Sequence, residues 1–489
     1  MHNIEKAFIQ VYVCLVLALF AWNSINTVRF PYGADYGEAP LMDQVRRIEN
    51  REVLYKSNIN QPPYVIANYP PLYPAWVAAT NRILNIPLFQ SGRITSVFFS
   101  LMSGVIIGIF SYHLTRNKWY GVFSASLFWG QPFVLIWSSF ARVDLMALAF
   151  SLLGLWILYR YWDSTSGILL ASLCLLISAF TRQTYVLSAP LAGFVWLLHC
   201  NRKRALAFIL IFGGAGLIIF GMINAITKGG FLVNIVMANI NRYDFPHALS
   251  MGRQLLFIWP IILIYSVITI MLTVISRFKK LPIDPGQTLQ QPFIFYGLTF
   301  YTLGALIISF TIGKIGSNVN YFLELITACV IWSGIALKII FDQKKTIKWA
   351  FFGILFIQSI WVLGYSYRIS QLNLQDLWGK LEVDKSIDMK VQSAVQKGTV
   401  LSDDFMDMVV LSDQPVYYQP FEYGELYYAG LWDPAEFVNQ IRNRQFPLII
   451  VGGNSLYKNC CWSPSMIEAI RSNYQIESEN DVLFLTPLK

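Results

Sequence analysis

The chain has 489 residues, of which 55% are hydrophobic and only 13% charged. Soluble domains carry about 25% charge, so the composition excludes an ordinary soluble protein and points to the bilayer. The net charge of +9 does not mark a nucleic-acid partner, because Lys and Arg concentrate in short connectors between apolar runs, where they set membrane orientation.

A membrane helix needs roughly 20 mostly apolar residues. About eleven runs approach that: 8–28, 94–113, 119–137, 143–160, 166–180, 184–200, 205–226, 254–276, 292–312, 321–341 and 347–367. The first is long and lacks a small-residue cleavage site, so it reads as a retained anchor. The cationic connectors "TRNKW" (115–119), "NRKRA" (201–205), "SRFKK" (276–280) and "DQKKTIK" (342–348) all fall on one side, with the N-terminus. The positive-inside rule makes that side cytoplasmic. Residues 29–93, 138–142, 181–183, 227–253, 313–320 and everything after 368 are then external. The expected fold is a polytopic α-helical membrane module, 1–367, followed by a small extracytoplasmic domain, 368–489.

The first external loop carries "RFPYGADYGEAPLMDQ" (29–44), with Asp35 and Glu38 flanked by Gly33 and Gly37. A carboxylate in a partly dehydrated pocket is a good general base; read locally, the same acids could simply cap the next helix. Leu41, Val45 and Ile48 lie at helical spacing, which predicts an amphipathic helix along the membrane surface. The proline cluster of "NYPPLYPAWVAATNRIL" (68–84) stops one helix before another begins, and 234–246 reads as a further interfacial segment.

Arg142 in "SSFARVDLMALAF", Arg182 in "AFTRQTYVLSAP" and Lys314 in "GKIGSNVNYFLEL" are single cations in very short external connectors, against the charge rule. One reading is snorkelling at helix ends. The other is a site for an anionic head group at the outer leaflet. Asp144 is expected to neutralise a neighbouring Arg, and Glu324 to pair with Arg142 or Arg182. Tyr69, Gln183, Asn318, Asn320 and Glu324 are candidates for positioning substrates, although Asn318 could equally cap a helix. The set suits a lipid-linked phosphosugar: cations on the phosphate and a carboxylate to deprotonate an acceptor hydroxyl. No His/Cys pattern suggests zinc.

After 368 the composition turns soluble. The stretches 399–404, 446–453 and 481–488 read as buried strands, and 433–445 and 463–474 as helices. Alternation predicts a small α/β domain. It lacks a GxGxxG or Walker motif, and the adjacent Cys460 and Cys461 have no metal-ligand spacing and receive no role.

The motifs "DYGE", "NYPPLYP", "ARVDLMAL", "TRQT" and "GSNVNYFLEL", on a plan of eleven crossings and an external C-terminal domain, resemble the multipass glycosyltransferases of the GT-C fold. The resemblance is to the branch of the protein O-mannosyltransferases and the lipid A aminoarabinose transferase. It implies an inverting transfer from a polyprenyl-phosphate sugar to a lipid, glycan or protein hydroxyl, in a bacterial plasma membrane. No cofactor is required, and metal dependence is left open. By position the resemblance puts the catalytic base on Asp35. The mannosyltransferases place a Glu directly after their Asp, whereas Tyr36 and Gly37 intervene before Glu38 here, so base and orienting acid stay unassigned between the two. A transporter or flippase would instead place paired charges at the bilayer midplane. A non-catalytic scaffold would not need Asp35.

Overall fold

The computed structural model describes residues 3–278, 290–341, 345–453, 456 and 461–489. Cys460 and parts of two cationic connectors, 279–280 and 342–344, lie outside the described residues. All eleven expected runs are helical. Among the described residues, seven helices are long and apolar enough to cross a membrane: Glu5–Arg29, Leu88–Thr115, Arg202–Ile226, Pro260–Arg277, Gln290–Gly313, Val319–Ile340 and Lys348–Gly379. The chain is a multi-pass membrane protein.

The other four runs form shorter helices. The run 119–137 is broken into Lys118–Trp129 and Pro132–Trp137, where Gln131 accepts from the backbone N–H of Val134 and Pro132 starts the second piece. Asp144–Arg160, Thr165–Thr181 and Ser188–Cys200 complete the set. Asp144–Arg160 is buried almost throughout, so its length is set by its neighbours rather than by the bilayer. By contrast Arg202–Ile226 is peripheral, with Leu217, Ile218, Met222 and Ile226 exposed on an apolar face that suits lipid. Val319–Ile340 runs through the middle of the bundle, its apolar window 89% buried. Close packing of Leu88–Thr115 on Lys118–Trp129 depends on Gly121, where an added Cβ would collide with the carbonyl oxygen of Gly108.

The helix Lys345–Gly379 continues past the expected boundary at 368 before the C-terminal domain begins. That domain holds a four-stranded sheet in the order β1-β2-β4-β3. Strand β1 (Val400–Ser402) is parallel to β2 (Leu448–Gly452), β2 is antiparallel to β4 (Val482–Pro487), and β4 is antiparallel to β3 (Tyr474–Glu479). The expected helices are present as Ala435–Arg442 and Pro464–Asn473, the latter capped by Ser463. Strand β3 was not expected: after Tyr474 its residues are exposed and, Ile476 apart, polar, so no apolar run announces it.

The helix Glu38–Glu49, expected to be amphipathic, turns its apolar residues Leu41 and Val45 into protein. It is buried on most sides, wedged between the bundle and the C-terminal domain. Arg46 donates to the carbonyls of Val410 and Gln414 at 2.8 and 2.9 Å and pairs with Asp413 at 3.0 Å. Asp43 binds Arg47 at 2.7 Å and accepts from the Val416 N–H at 2.9 Å. Further along, Tyr64 and Tyr417 form a backbone bridge of 2.6 Å, and the Gln419 N–H returns to the Tyr64 carbonyl at 2.9 Å. The Tyr64 ring packs among Tyr423, Trp432 and Phe437. These contacts join the first external loop and the C-terminal domain into one packed unit.

Replacing Asp43 with Ala leaves the buried Arg47 guanidinium and the Val416 N–H without their acceptor. The expected cost is about 3–5 kcal/mol, read as a lower unfolding temperature in detergent and faster proteolysis near 411–416.

Candidate functional site

A cavity of about 940 Å³ opens where the first loop, the turns after Trp137, Thr181 and Gly313, and the helix Pro420–Tyr428 meet. Its polar part is lined by Asp35, Arg142, Arg182, Gln183, Lys314 and Glu422, among others. An apolar arm follows, between Leu176, Ala179 and Phe180 on one helix and Phe212, Leu217 and Phe220 on the peripheral one.

Asp35 sits in a tight turn: its carbonyl accepts from the Glu38 N–H at 3.0 Å, and its Oδ2 accepts from the Gly37 N–H at 2.9 Å. The same oxygen pairs with Arg142 Nη2. The two side chains are 17% and 15% exposed, so the pair is open to the cavity. The Arg142 guanidinium lies over the Trp137 ring at 5.1 Å. It also lies against Gly37, where any Cβ would collide with it. Glycine at 37 is therefore a requirement of space; its φ of −80° is ordinary.

Glu38, one turn away, has the opposite environment. It is fully buried and does not line the cavity. Oε1 accepts from Arg93 Nε at 3.0 Å and the Ala141 N–H at 2.6 Å; Oε2 accepts from Arg93 Nη2 and the Ala34 N–H at 2.6 and 2.8 Å. Arg93 in turn donates to the carbonyls of Thr27, Phe30 and Tyr32, closing the end of the first membrane helix. Every hydrogen bond of Glu38 goes to the protein's own framework.

Asp144 neutralises Arg182, as expected. It also accepts from Trp137 Nε1 at 2.8 Å and Asn320 Nδ2 at 3.1 Å, while Arg182 rests on the Tyr321 ring at 4.5 Å. Gln183 donates to the Asn68 carbonyl at 3.0 Å. Asn318 caps the Val319 N–H at 2.7 Å and still lines the cavity, as do Asn320 and Tyr69. Lys314 lines it too, and makes no ion pair among the described residues. Glu324 is not in the lining: it pairs with neither arginine and accepts from Ser188 Oγ at 2.7 Å instead.

Two acidic wall residues come from the C-terminal domain, where no motif marks them. One is Glu422, on a helix started by Pro420; the other is Asp404. Cys461, adjacent in the lining, is disulfide-bonded. Their place depends on contacts between residues hundreds of positions apart, so no local signal could have found them. Among the described residues no group of three or more His, Cys, Asp or Glu is arranged to hold a metal ion.

No family model and no curated protein sequence matches the chain. Solved structures do. The chain is similar to ArnT from Cupriavidus metallidurans bound to undecaprenyl phosphate, with a TM-score of 0.61, 11% identity and coverage of 99% of this chain and 98% of that one. It is equally similar to the archaeal oligosaccharyltransferase AglB from Archaeoglobus fulgidus, solved with an inhibitory peptide and a dolichol-phosphate, with a TM-score of 0.61, 11% identity and coverage of 100% and 74%. The chain has the GT-C fold. Fold alone does not fix chemistry, and within this GT-C chain the open carboxylate is Asp35, with Glu38 spent on structure.

The two acids should therefore respond differently to neutralisation. Glu38→Gln leaves the buried Arg93 charge uncompensated and is expected to cost about 3–5 kcal/mol of fold stability. Asp35→Asn, in a pair that is 15–17% exposed and open to the cavity, should cost less than Glu38→Gln. Tryptophan fluorescence during thermal unfolding in detergent compares them directly.

Proposed function

We propose that this protein is an inverting glycosyltransferase that moves a sugar from a polyprenyl-phosphate donor to an acceptor hydroxyl at the outer face of the membrane. The observation that carries this reading is the open Asp35–Arg142 pair at the head of a cavity with cations in its polar part and an apolar arm. The bound undecaprenyl phosphate and dolichol-phosphate of the ArnT and AglB structures support the donor class. The acceptor is a lipid, a glycan or a protein.

In this reading the donor phosphate binds Lys314 and the Arg182 guanidinium, and the first isoprene units follow the apolar arm toward lipid. The N-terminus is cytoplasmic and the C-terminal domain extracytoplasmic, in a bacterial plasma membrane. Asp35, aimed by Arg142 and Gly37, takes the proton of the acceptor hydroxyl as its oxygen attacks the anomeric carbon opposite the phosphate. The new glycosidic bond forms as the bond from anomeric carbon to phosphate oxygen breaks, which inverts the centre. Polyprenyl phosphate leaves with the electron pair, and its extra negative charge is stabilised by the cations. Tyr69, Gln183, Asn318 and Asn320 position the substrates around this centre.

Purified protein supplied with labelled polyprenyl-phosphate sugar tests the reading. Asp35→Asn should lower transfer roughly 10²–10⁴-fold while still binding the donor lipid. Full activity in that variant would remove Asp35 as the base, and failure of the wild type to bind any polyprenyl phosphate would end the glycosyltransferase reading. Gly37→Ala should push Arg142 off its position and slow transfer roughly 100-fold without altering either charge.

A further inference from the structure

The mechanism above leaves two acids in the cavity wall without a task, Asp404 and Glu422. Glu422 stands on the helix Pro420–Tyr428 of the C-terminal domain. The start of that helix is fixed to the first loop: the Gln419 N–H donates to the Tyr64 carbonyl, and Gln419 Oε1 accepts from the Ile66 N–H at 2.8 Å. Asn68 Nδ2 then donates to Glu422 Oε1 at 3.1 Å, and the Asn68 carbonyl accepts from Gln183, next to Arg182. Glu422 Oε2 is buried and has no hydrogen-bond partner.

A buried acceptor left without a partner costs about 1–3 kcal/mol, and native structures rarely keep one without a purpose. Glu422 makes no ion pair among the described residues: Arg142 is paired with Asp35 and Arg182 with Asp144, and Lys314, in the same lining, is assigned to the donor phosphate in the reading above. Burial pushes its carboxyl up to about 7, against a hydrogen bond from its own backbone N–H, the Asn68 hydrogen bond and the field of Arg142. A carboxylate repels phosphate, so the missing partner is a donor group. Tyr36 and Phe421, edge to face with ring centroids 6.5 Å apart, line the same part of the cavity. Aromatic faces beside a fixed acceptor suit a hydroxyl-bearing ring.

We propose that Glu422 accepts a hydrogen bond from a hydroxyl of the donor's sugar, so that the C-terminal domain reads the substrate directly. The proposal rests on the glycosyltransferase reading above. The donor's sugar fits better than the acceptor because Glu422 is joined through Asn68 and Gln183 to the Arg182 end, where the phosphate binds, and the sugar is one bond from that phosphate.

The test uses the full chain in detergent with undecaprenyl phosphate, bare or carrying glucose, mannose or galactose in turn. Glu422→Ala should weaken binding of the preferred sugar-bearing lipid roughly tenfold or more and leave the bare lipid within about twofold. Glu422→Gln should fall between the two. In transfer assays the KM for donor should rise more than kcat falls, with the KM for acceptor unchanged. Equal weakening of both lipids would indicate a structural role and overturn the proposal; so would an unchanged sugar-bearing lipid or a rise confined to the acceptor KM. A wild-type chain that binds neither lipid would instead overturn the glycosyltransferase reading, and this proposal with it.

Discussion

The arrangement of the outer face depends on the buried ion pair between Glu38 and Arg93. Four hydrogen bonds to one carboxylate and three more from the guanidinium to backbone carbonyls join four pieces of chain. These are the end of the first membrane helix, the turn at 30–38, the helix Leu88–Thr115 and the segment entering Arg142. Two buried charges are costly to desolvate, and the pair is tolerable because nearly every polar atom is satisfied. What it contributes is placement. The Ala34 and Ala141 N–H groups it holds are the neighbours of Asp35 and Arg142, so the hidden pair sets the spacing of the open one.

The charges of the cavity differ in how far the protein itself answers them. Arg182 and Asp144 cancel, with Trp137 and Asn320 taking up the remaining valence of the acid. Asp35 and Arg142 cancel but stay partly exposed to the cavity. Lys314 and Glu422 remain, of opposite sign and without a protein counter-ion among the described residues. A ligand with an anionic end and a hydroxyl-rich end answers both.

How much of this was legible in the sequence varies with range. The membrane helices were, because apolar runs and cationic connectors are local signals, and the exceptions to the charge rule grouped Arg142, Arg182 and Lys314 opposite the loop of Asp35; all four line one cavity. Glu38 shows the limit: one helical turn from Asp35, it carries the same charge in the same motif, and only Arg93, 55 positions away, decides that it points inward. The helix Glu38–Glu49 has an apolar stripe that fits a membrane surface, yet the stripe meets protein, because Asp43, Arg46 and Arg47 find partners between 410 and 416. Strand β3 and Glu422 carry no local mark at all; the first is held by its neighbour strand, the second by Asn68.

The joining of the first loop to the C-terminal domain has a consequence for biogenesis. Asp407 accepts the Gly33 N–H at 2.7 Å, and Tyr417 and Gln419 pair with Tyr64, so the loop bearing Asp35 is held by residues made more than 350 positions later. A ribosome-bound chain that has inserted its helices still lacks one wall of the cavity. The site is assembled only when the last quarter of the polypeptide has folded back over the first loop. Insertion of the bundle and completion of the site are therefore separate events.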